Sequence, residues 1–154
     1  MTAPTSCIDW QCLSFEQLSN QQIYAIFQAR SAVFVVEQNC VYQDIDGKDP
    51  ECWHLFASSA SGEILAYLRI VPAGLSYAEL SLGRVLTSAA GRGLGLGKQL
   101  LEQSLDFCQL HFPQQAIRIS AQAYLEKFYQ SFGFKTVSEP YLEDDIPHLQ
   151  MLKA

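Results

Sequence analysis

The sequence predicts a single α/β domain built on a mixed β-sheet. Residues 79–87 form a strand-like apolar run, residues 91–97 contain four glycines, and residues 98–112 place apolar side chains at helical spacing. The chain therefore passes from a strand through a glycine loop into a helix. Its length of 154 residues suits one hydrophobic core. We expect one domain over residues 1–154, with the folded core at about residues 10–152.

The elements before this strand–loop–helix unit are predicted from apolar periodicity and turn signals. Residues 7–13 alternate as a first strand, and residues 19–22 match the capping box S-x-x-Q at the start of a helix. Arg30 falls within the apolar stripe of that helix, where burying a charge is costly, so we expect it to be paired. Residues 53–59 and 63–71 are two strands joined by a hairpin turn.

The elements after the unit alternate between strand and helix. Pro113 ends the helix, and residues 116–121 follow as a short buried strand. Residues 123–132 are predicted to be helical, whereas residues 134–137 and 146–152 are predicted to be strands.

Composition and charge exclude several classes of protein. Hydrophobic residues make up 49% of the chain and charged residues 17%, and no run reaches the roughly 18 apolar residues that span a bilayer. The net charge of −6 argues against a nucleic-acid partner, because phosphate backbones are bound by clustered Lys and Arg. Five cysteines without a C-x-x-C pair suggest reduced thiols, and residues 1–6 lack the features of a secretory signal. We therefore expect a cytoplasmic protein.

The glycine loop predicts an anion site. Glycines at the start of a helix leave its first amides uncovered, so a phosphate can approach the backbone and the positive end of the helix. The glycine spacing does not fit the dinucleotide pattern G-x-G-x-x-G, and Arg92 and Gln99 stand where a P-loop needs Gly and Ser or Thr. The pattern that remains is R-x-x-G-x-G, supplied by Arg92, Gly95 and Gly97.

An acidic segment precedes the hairpin and consists of Asp44, Asp46, Asp49 and Glu51. We interpret it as a solvated face, with a negative rim that attracts an amine as the alternative. Cys52, His54 and His148 lack the paired spacing of a metal site, and we expect no bound metal.

The loop pattern resembles the pyrophosphate loop of the GNAT superfamily of N-acetyltransferases. Residues 121–134, which end in F-Y-x-x-x-G-F, are similar to the element that closes the same fold. The resemblance spans about residues 10–151. Further stretches look like the ElaA-type branch of the superfamily: residues 33–38, 46–49, 83–85, 121–123 and 143–148.

The resemblance implies the GNAT acyl-CoA N-acyltransferase fold. That fold has a central mixed, mostly antiparallel sheet of six to seven strands, splayed at the fourth and fifth strands, and about four helices. The pantetheine arm of coenzyme A (CoA) lies in the splay. Gly83 with Arg84 is where we expect the strand to be distorted, because glycine inside a strand indicates a bulge or a close backbone approach. Position 145 would be Gly at least as readily as Asp in this branch.

The resemblance also implies the residues that bind acetyl-CoA. The backbone of Leu86 would bond the thioester carbonyl, Tyr129 would act as general acid for the leaving thiolate, and Gln122 would bond the pantetheine. The full cofactor-binding set is Val85, Leu86, Thr87, Arg92, Gly93, Leu94, Gly95, Leu96, Gly97, Lys98, Gln122 and Phe128.

The acceptor side is less defined by the sequence. A lysine-like amine is almost fully protonated at neutral pH, so a general base would assist the reaction. The candidates are His54, Glu79, Glu143 and His148, and no spacing selects among them.

These observations predict an acetyl-CoA-dependent N-acetyltransferase. It would move an acetyl group to a primary amine of a small molecule or peptide by direct transfer in a ternary complex. We expect a monomer or homodimer without a nucleic-acid, membrane or metal partner. Two alternatives stay open: a non-catalytic acyl-CoA-binding sensor that acts through a protein partner, and an enzyme of the acyl-homoserine-lactone-synthase type.

Overall fold

The computed structural model describes residues 7–154, which contain eight strands and three α-helices. The strands are β1 (Asp9–Ser14), β2 (Trp53–Ser58), β3 (Ile64–Val71), β4 (Ser81–Thr87), β5 (Ile117–Gln122), β6 (Lys135–Thr136), β7 (Tyr141–Glu143) and β8 (Ile146–Lys153). The helices are α1 (Asn20–Arg30), α2 (Leu96–His111) and α3 (Glu126–Gln130). A π-helical segment, Ser31–Glu37, continues α1 and is called the π segment below. The start of the chain, where a secretory signal would lie, is outside the described residues.

The strands form two sheets that separate between β4 and β5. The order β1-β2-β3-β4 is antiparallel throughout, and β8 lies between β5 and β6 in the second sheet. One parallel bridge joins Leu80 to Ile117, where the Arg118 N–H donates to the Leu80 carbonyl at 2.8 Å. Past this bridge, β4 and β5 form no ladder within residues 7–154. The predicted splay between the fourth and fifth strands is confirmed.

Helices cover both faces of the first sheet. Leu55 of β2 belongs to the cluster that contains α2, whereas the next residue, Phe56, packs in the cluster that contains α1. This division follows from the alternation of side chains along a strand. The α2 cluster also includes Ile117 and Met151 of the second sheet. The two sheets therefore share one core.

Most predicted elements are present with shifted ends. Ser19 caps α1 and accepts a hydrogen bond from the Gln22 N–H at 3.1 Å, which confirms the capping box. The helix predicted at 123–132 is instead a 3-10 turn, Ala123–Leu125, followed by the short α3. No helix in residues 7–154 is both long and apolar enough to cross a membrane.

The hairpin of β7 and β8 was not predicted. Glu143 pairs with Ile146, so only Asp144 and Asp145 form its turn, with φ angles of 51° and 63°. Two positive φ angles are typical of a type I′ turn, whose sequence signal is Asn-Gly or Asp-Gly. Asp-Asp lacks that signal, and glycine would fit position 145 with less strain.

Candidate active site

A cavity of about 750 Å³ lies in the gap between β4 and β5. The π segment, the start of α2 and the β7–β8 hairpin complete its walls. Ten of the predicted site residues line it: Val85, Leu86, Thr87, Arg92, Gly97, Gln122, Phe128, Tyr129, Glu143 and His148. The structure thus brings together residues that lie up to six elements apart in the chain.

A β-bulge shapes the β4 side of this cavity. Arg84 and Val85 of β4 lie opposite the single residue Leu68 of β3. Arg84 has a φ of 52°, which few residues other than glycine adopt. A bulge bends its strand and increases the local twist, so β4 turns away from β5 after this point. The distortion expected at Gly83 and Arg84 is confirmed.

The glycines of the loop have different structural roles. Gly91 is buried against β3, where a Cβ atom would collide with the Leu65 carbonyl oxygen. Gly93 and Gly95 have φ angles of +80° and +72°, and a Cβ atom added to either would meet no atom within 4 Å beyond its chain neighbours. Gly95 is the N-cap of α2. The cradle at the start of α2 is therefore open, and its free amides fit an anionic group.

Three predicted loop residues turn their side chains away from the cavity. Leu96 is buried, Leu94 packs against the core, and Lys98 is largely exposed with its Nζ 3.9 Å from Glu102. Any contact of these residues with a cofactor would therefore use their backbone.

Arg92 makes a two-pronged ion pair with Glu37, the last residue of the π segment. Arg92 Nη2 lies 2.6 Å from Glu37 Oε2, and Nη1 lies 3.1 Å from Oε1. The bond to Arg92 lowers the pKa of Glu37. Both residues line the cavity, so the pair ties the glycine loop to the π segment across it.

Tyr129 is buried in the cavity wall. Its ring meets Phe128 and Phe134 edge-on, at centroid distances of 5.3 and 5.9 Å. Burial raises the pKa of Tyr129 to about 12, so the phenol keeps its proton at neutral pH. No residue in 7–154 forms a hydrogen bond with its hydroxyl, which leaves that proton free for a ligand.

His148 and Glu143 meet on the β7–β8 hairpin. His148 Nδ1 lies 2.6 Å from the Ile146 carbonyl oxygen, and a carbonyl can only accept. Nδ1 therefore carries a hydrogen, and only Nε2 can exchange a proton. Nε2 lies 3.3 Å from Glu143 Oε2. The carboxylate thus lies where positive charge would form on the ring.

Tyr141 and Ser120 hold this pair in position. The Tyr141 ring stacks on the His148 ring at 6.2 Å, and its hydroxyl lies 2.5 Å from Ser120 Oγ. Ser120 Oγ also donates to Glu143 Oε1 at 3.5 Å. Neither residue was identified from the sequence, because Ser120 is separated from Tyr141 by two elements.

His54 does not lie with Glu143 and His148 in the cavity. Its Nδ1 accepts from the Tyr67 hydroxyl at 2.7 Å, and its Nε2 donates to the Asp49 carbonyl at 3.0 Å. The residue is buried, burial lowers its pKa, and it does not line the cavity. Glu79 is likewise engaged: its bond to Arg118 lowers its pKa. Within residues 7–154, no group of three or more metal-binding side chains could hold an ion.

The acidic segment is not a solvated face, and that interpretation was wrong. Its three aspartates bind three arginines in one arginine–aspartate network: Arg30 with Asp44 and Asp49, Arg69 with Asp46 and Asp49, and Arg84 with Asp44 and Asp46. The nitrogen–oxygen distances range from 2.6 to 3.3 Å. Buried charges are tolerated when they are paired in this way. The negative rim is therefore neutralised, whereas the partner expected for Arg30 is confirmed.

Comparison with known proteins identifies the family. Residues 15–154 match the Acetyltransferase (GNAT) domain family. The chain belongs to the GNAT superfamily. Among its relatives is Protein ElaA of Escherichia coli (strain K12), which is 45% identical over 148 residues, covering 95% of this chain and 96% of ElaA. This GNAT protein is therefore of the ElaA type.

Solved structures share its fold. An acyl-CoA N-acyltransferase from Pseudomonas aeruginosa superposes with a TM-score of 0.90 at 42% identity, covering 96% of this chain and 99% of that chain. The crystal structure of Escherichia coli ElaA gives a TM-score of 0.89 at 44% identity, with the same coverage. The family and these neighbours identify the GNAT protein as an N-acyltransferase with the acyl-CoA-binding fold.

A more distant neighbour shares the fold alone. A CoA-dependent acyl-homoserine lactone synthase, BjaI, has a TM-score of 0.74 at 15% identity, covering 95% of this chain and 82% of that one. Its structure contains SAM and isopentyl-CoA.

Proposed function

We propose that this GNAT protein transfers an acetyl group from acetyl-CoA to a primary amine of a small molecule or peptide, directly in a ternary complex. The observation that carries the proposal is one cavity lined by the start of α2, the buried phenol of Tyr129 and the Glu143–His148 pair. These three features are what acyl transfer to an amine requires: an anchor for the donor, a proton donor for the leaving group and a proton acceptor for the amine.

The donor side has groups for three parts of acetyl-CoA: the diphosphate, the pantetheine arm and the thioester. The free amides of residues 93–97 and the Arg92 guanidinium suit the diphosphate. Val85, Leu86 and Thr87 lie on the edge of β4 that forms no ladder with β5, so their backbone groups suit the amides of the pantetheine arm. An amide near Leu86 would polarise the thioester carbonyl.

The acceptor amine must lose a proton before it can attack. With a pKa of about 10.4, only about one amine in a few thousand is neutral at pH 7, which costs about 4–5 kcal/mol. We assign the base role to His148, because its Nε2 is the one ring nitrogen free to take a proton and Glu143 lies beside it. His54 has both nitrogens engaged outside the cavity and is not assigned a role.

We assign Tyr129 as the proton donor for the leaving thiolate. A thiol has a pKa of about 8.5 in water, well below the value of about 12 for this phenol. Proton transfer from Tyr129 therefore becomes favourable only as the thiolate is itself desolvated in the cavity, which raises its own pKa. Until then, the hydroxyl stabilises the developing charge by a hydrogen bond.

A screen of amines, polyamines and peptide N-termini with acetyl-CoA, read out as free thiol, tests this function. We expect amine-dependent thiol release for at least one acceptor. A non-catalytic sensor would bind acetyl-CoA without any such release, and a lactone-forming enzyme would release thiol only with an acceptor that cyclises. Either result would contradict the proposal.

A further inference from the structure

Lys48 is a cation in the cavity wall whose charge no carboxylate balances. Its Nζ donates to Ser76 Oγ at 3.0 Å. Within residues 7–154, no carboxylate oxygen lies within 4.0 Å of that nitrogen. An ammonium carries three donors, so two remain for another partner. Both Lys48 and Ser76 line the cavity.

The surrounding charges do not supply that partner. The arginine–aspartate network contains three arginines and three aspartates, so it is neutral as a unit. Arg92 is likewise balanced by Glu37. Lys48 therefore gives its own part of the wall one positive charge, which matches the single charge of a carboxylate, whereas Glu143 and Asp144 make the hairpin end of the cavity acidic.

Hydrogen bonds hold the backbone of Lys48, so its side chain extends from a well-defined point in the cavity wall. Its N–H donates to Asp46 Oδ1 at 3.1 Å, and its carbonyl accepts from the Glu51 N–H at 3.0 Å and from Cys52 Sγ at 3.2 Å. Asp46 is in turn held by Arg69. The network thus serves as a platform for the lysine.

Lys48 and the assigned base His148 line the same cavity, together with Ser76 and Tyr77. Ser76 is followed by Tyr77, which also lines the cavity. Burial raises the pKa of Tyr77, and the nearby Tyr141 and Glu143 raise it further. Tyr77 therefore lies beside the groups that hold His148. A ligand that fills this cavity would therefore have both Lys48 and His148 in its walls.

We infer that the acceptor is an amino carboxylate, whose carboxylate binds Lys48 and Ser76 while its amine faces Glu143 and His148. This inference rests on the proposed function and adds the class of acceptor. A hydrogen bond between charged groups changes affinity by about tenfold to a hundredfold, so Lys48 would determine acceptor specificity.

The test compares ω-amino carboxylates of increasing length with their matched carboxamides, using acetyl-CoA and thiol release. Lys48→Met keeps the aliphatic stem and removes the charge. We expect it to raise KM for the amino carboxylates by about tenfold to a hundredfold with little change in kcat, and to leave KM for the carboxamides unchanged. Lys48→Arg should restore most of the loss, and Lys135→Met, at an exposed lysine of β6, should have no effect.

Calorimetry separates this inference from the proposed function. Each amino carboxylate is titrated into protein saturated with CoA, so that binding is measured without turnover. We expect weaker binding to Lys48→Met than to the wild type, with equal thermal stability of the two proteins. Equal KM changes for carboxylates and carboxamides, or equal affinity of both proteins, would overturn the inference. A failure of acetyl transfer to every amine would overturn the proposed function, and with it the acceptor role, even if amino carboxylates still bound through Lys48.

Discussion

Tyr129 is held protonated by burial, and this property gives the first test at the scale of single residues. Tyr129→Phe removes the hydroxyl and keeps the ring packing with Phe128 and Phe134. We expect turnover to fall about a hundredfold, the usual contribution of a general acid, with CoA affinity nearly unchanged. Steady-state kinetics and calorimetry provide the two values. Tyr24→Phe, at an exposed tyrosine of α1, is the control, and unchanged turnover of Tyr129→Phe would exclude the acid role.

Glu37 occupies the guanidinium edge of Arg92 that a phosphate would use. A diphosphate must therefore displace Glu37 or share Arg92 with it. We expect Glu37→Gln to tighten CoA binding by about two- to fivefold, because exposed ion pairs are weak and their loss frees Arg92.

Glu63→Gln is the matched control for Glu37→Gln, since it makes the same change of charge at an exposed hairpin residue. Calorimetry at several salt concentrations measures the effect, which should shrink as salt screens the pair. Weaker CoA binding by Glu37→Gln would contradict this account, because it would show that Glu37 stabilises the glycine loop rather than competing with the diphosphate for Arg92.

The environment of a single residue was predictable from the sequence where burial of a charge has a large energetic cost. Arg30 was expected to be paired because an unpaired buried charge is unfavourable. It forms ion pairs with Asp44 and Asp49. Its partners, and those of Arg69 and Arg84, lie 14 to 40 residues away and carry no local signal. The acidic segment was misinterpreted for the same reason.

At the scale of elements, the glycine loop and α2 can be tested with one substitution. Gly95→Glu places bulk and negative charge in the open cradle at the N-terminus of α2. We expect it to abolish acetyl-CoA binding, because the side chain occupies the diphosphate position and repels its charge.

Gly62→Glu is a matched control for the loop substitution. Gly62 also has a positive φ, of +87°, and open space around it, but it lies in the β2–β3 hairpin away from the cavity. Both variants thus place the same charged side chain at a position with a positive φ angle. If calorimetry gave wild-type affinity for Gly95→Glu, the cradle would not be the diphosphate site.

Elements with clear apolar periodicity, or with a capping or turn signal, were predictable from the sequence. Elements that form only by pairing with another strand were not. The capping box, the β2–β3 hairpin and the bulge beside Gly83 all follow from local sequence. The three-residue β7 forms its backbone ladder with β8, its Tyr141 and Glu143 side chains contact Ser120 of β5, and its Asp144-Asp145 turn lacks glycine. Short strands of this kind have no periodicity to detect.

At the scale of the whole molecule, buried ionisable groups predict how stability depends on pH. Burial alone would raise the pKa of Asp46 and Asp49, but Arg69 and Arg30 outweigh it and lower both values. Burial lowers the pKa of His54. In all three cases the unfolded chain binds protons at a higher pH than the folded chain does.

Stability should therefore fall in two steps as the pH decreases. The first begins near pH 6.5, where His54 becomes protonated only in the unfolded chain, and the second below about pH 4, where the aspartates do so. Urea unfolding at a series of pH values measures both. His54→Gln should remove the first step, and a free energy of unfolding that stays constant from pH 7 to pH 3 would contradict the assigned environments.

The cavity itself could be predicted in part. The loop, Tyr129 and the splay follow from sequence patterns and the resemblance they carry, and the cavity brings them together. The acceptor half depends on how the β7–β8 hairpin packs beside the loop at Ser76, which no local pattern encodes. Glu143 and His148 were candidates because of their acid–base chemistry alone, whereas Ser120, Tyr141 and Lys48 were not identified.

The most direct test of the central claim measures both products of the reaction with an accepted amine. We predict equal amounts of CoA thiol and N-acetylated amine, the latter identified by mass spectrometry, for the wild type and Gly62→Glu, and neither product for Gly95→Glu. Thiol release without an acetylated amine, or equal product formation by Gly95→Glu, would contradict acetyl transfer from CoA bound at the glycine loop.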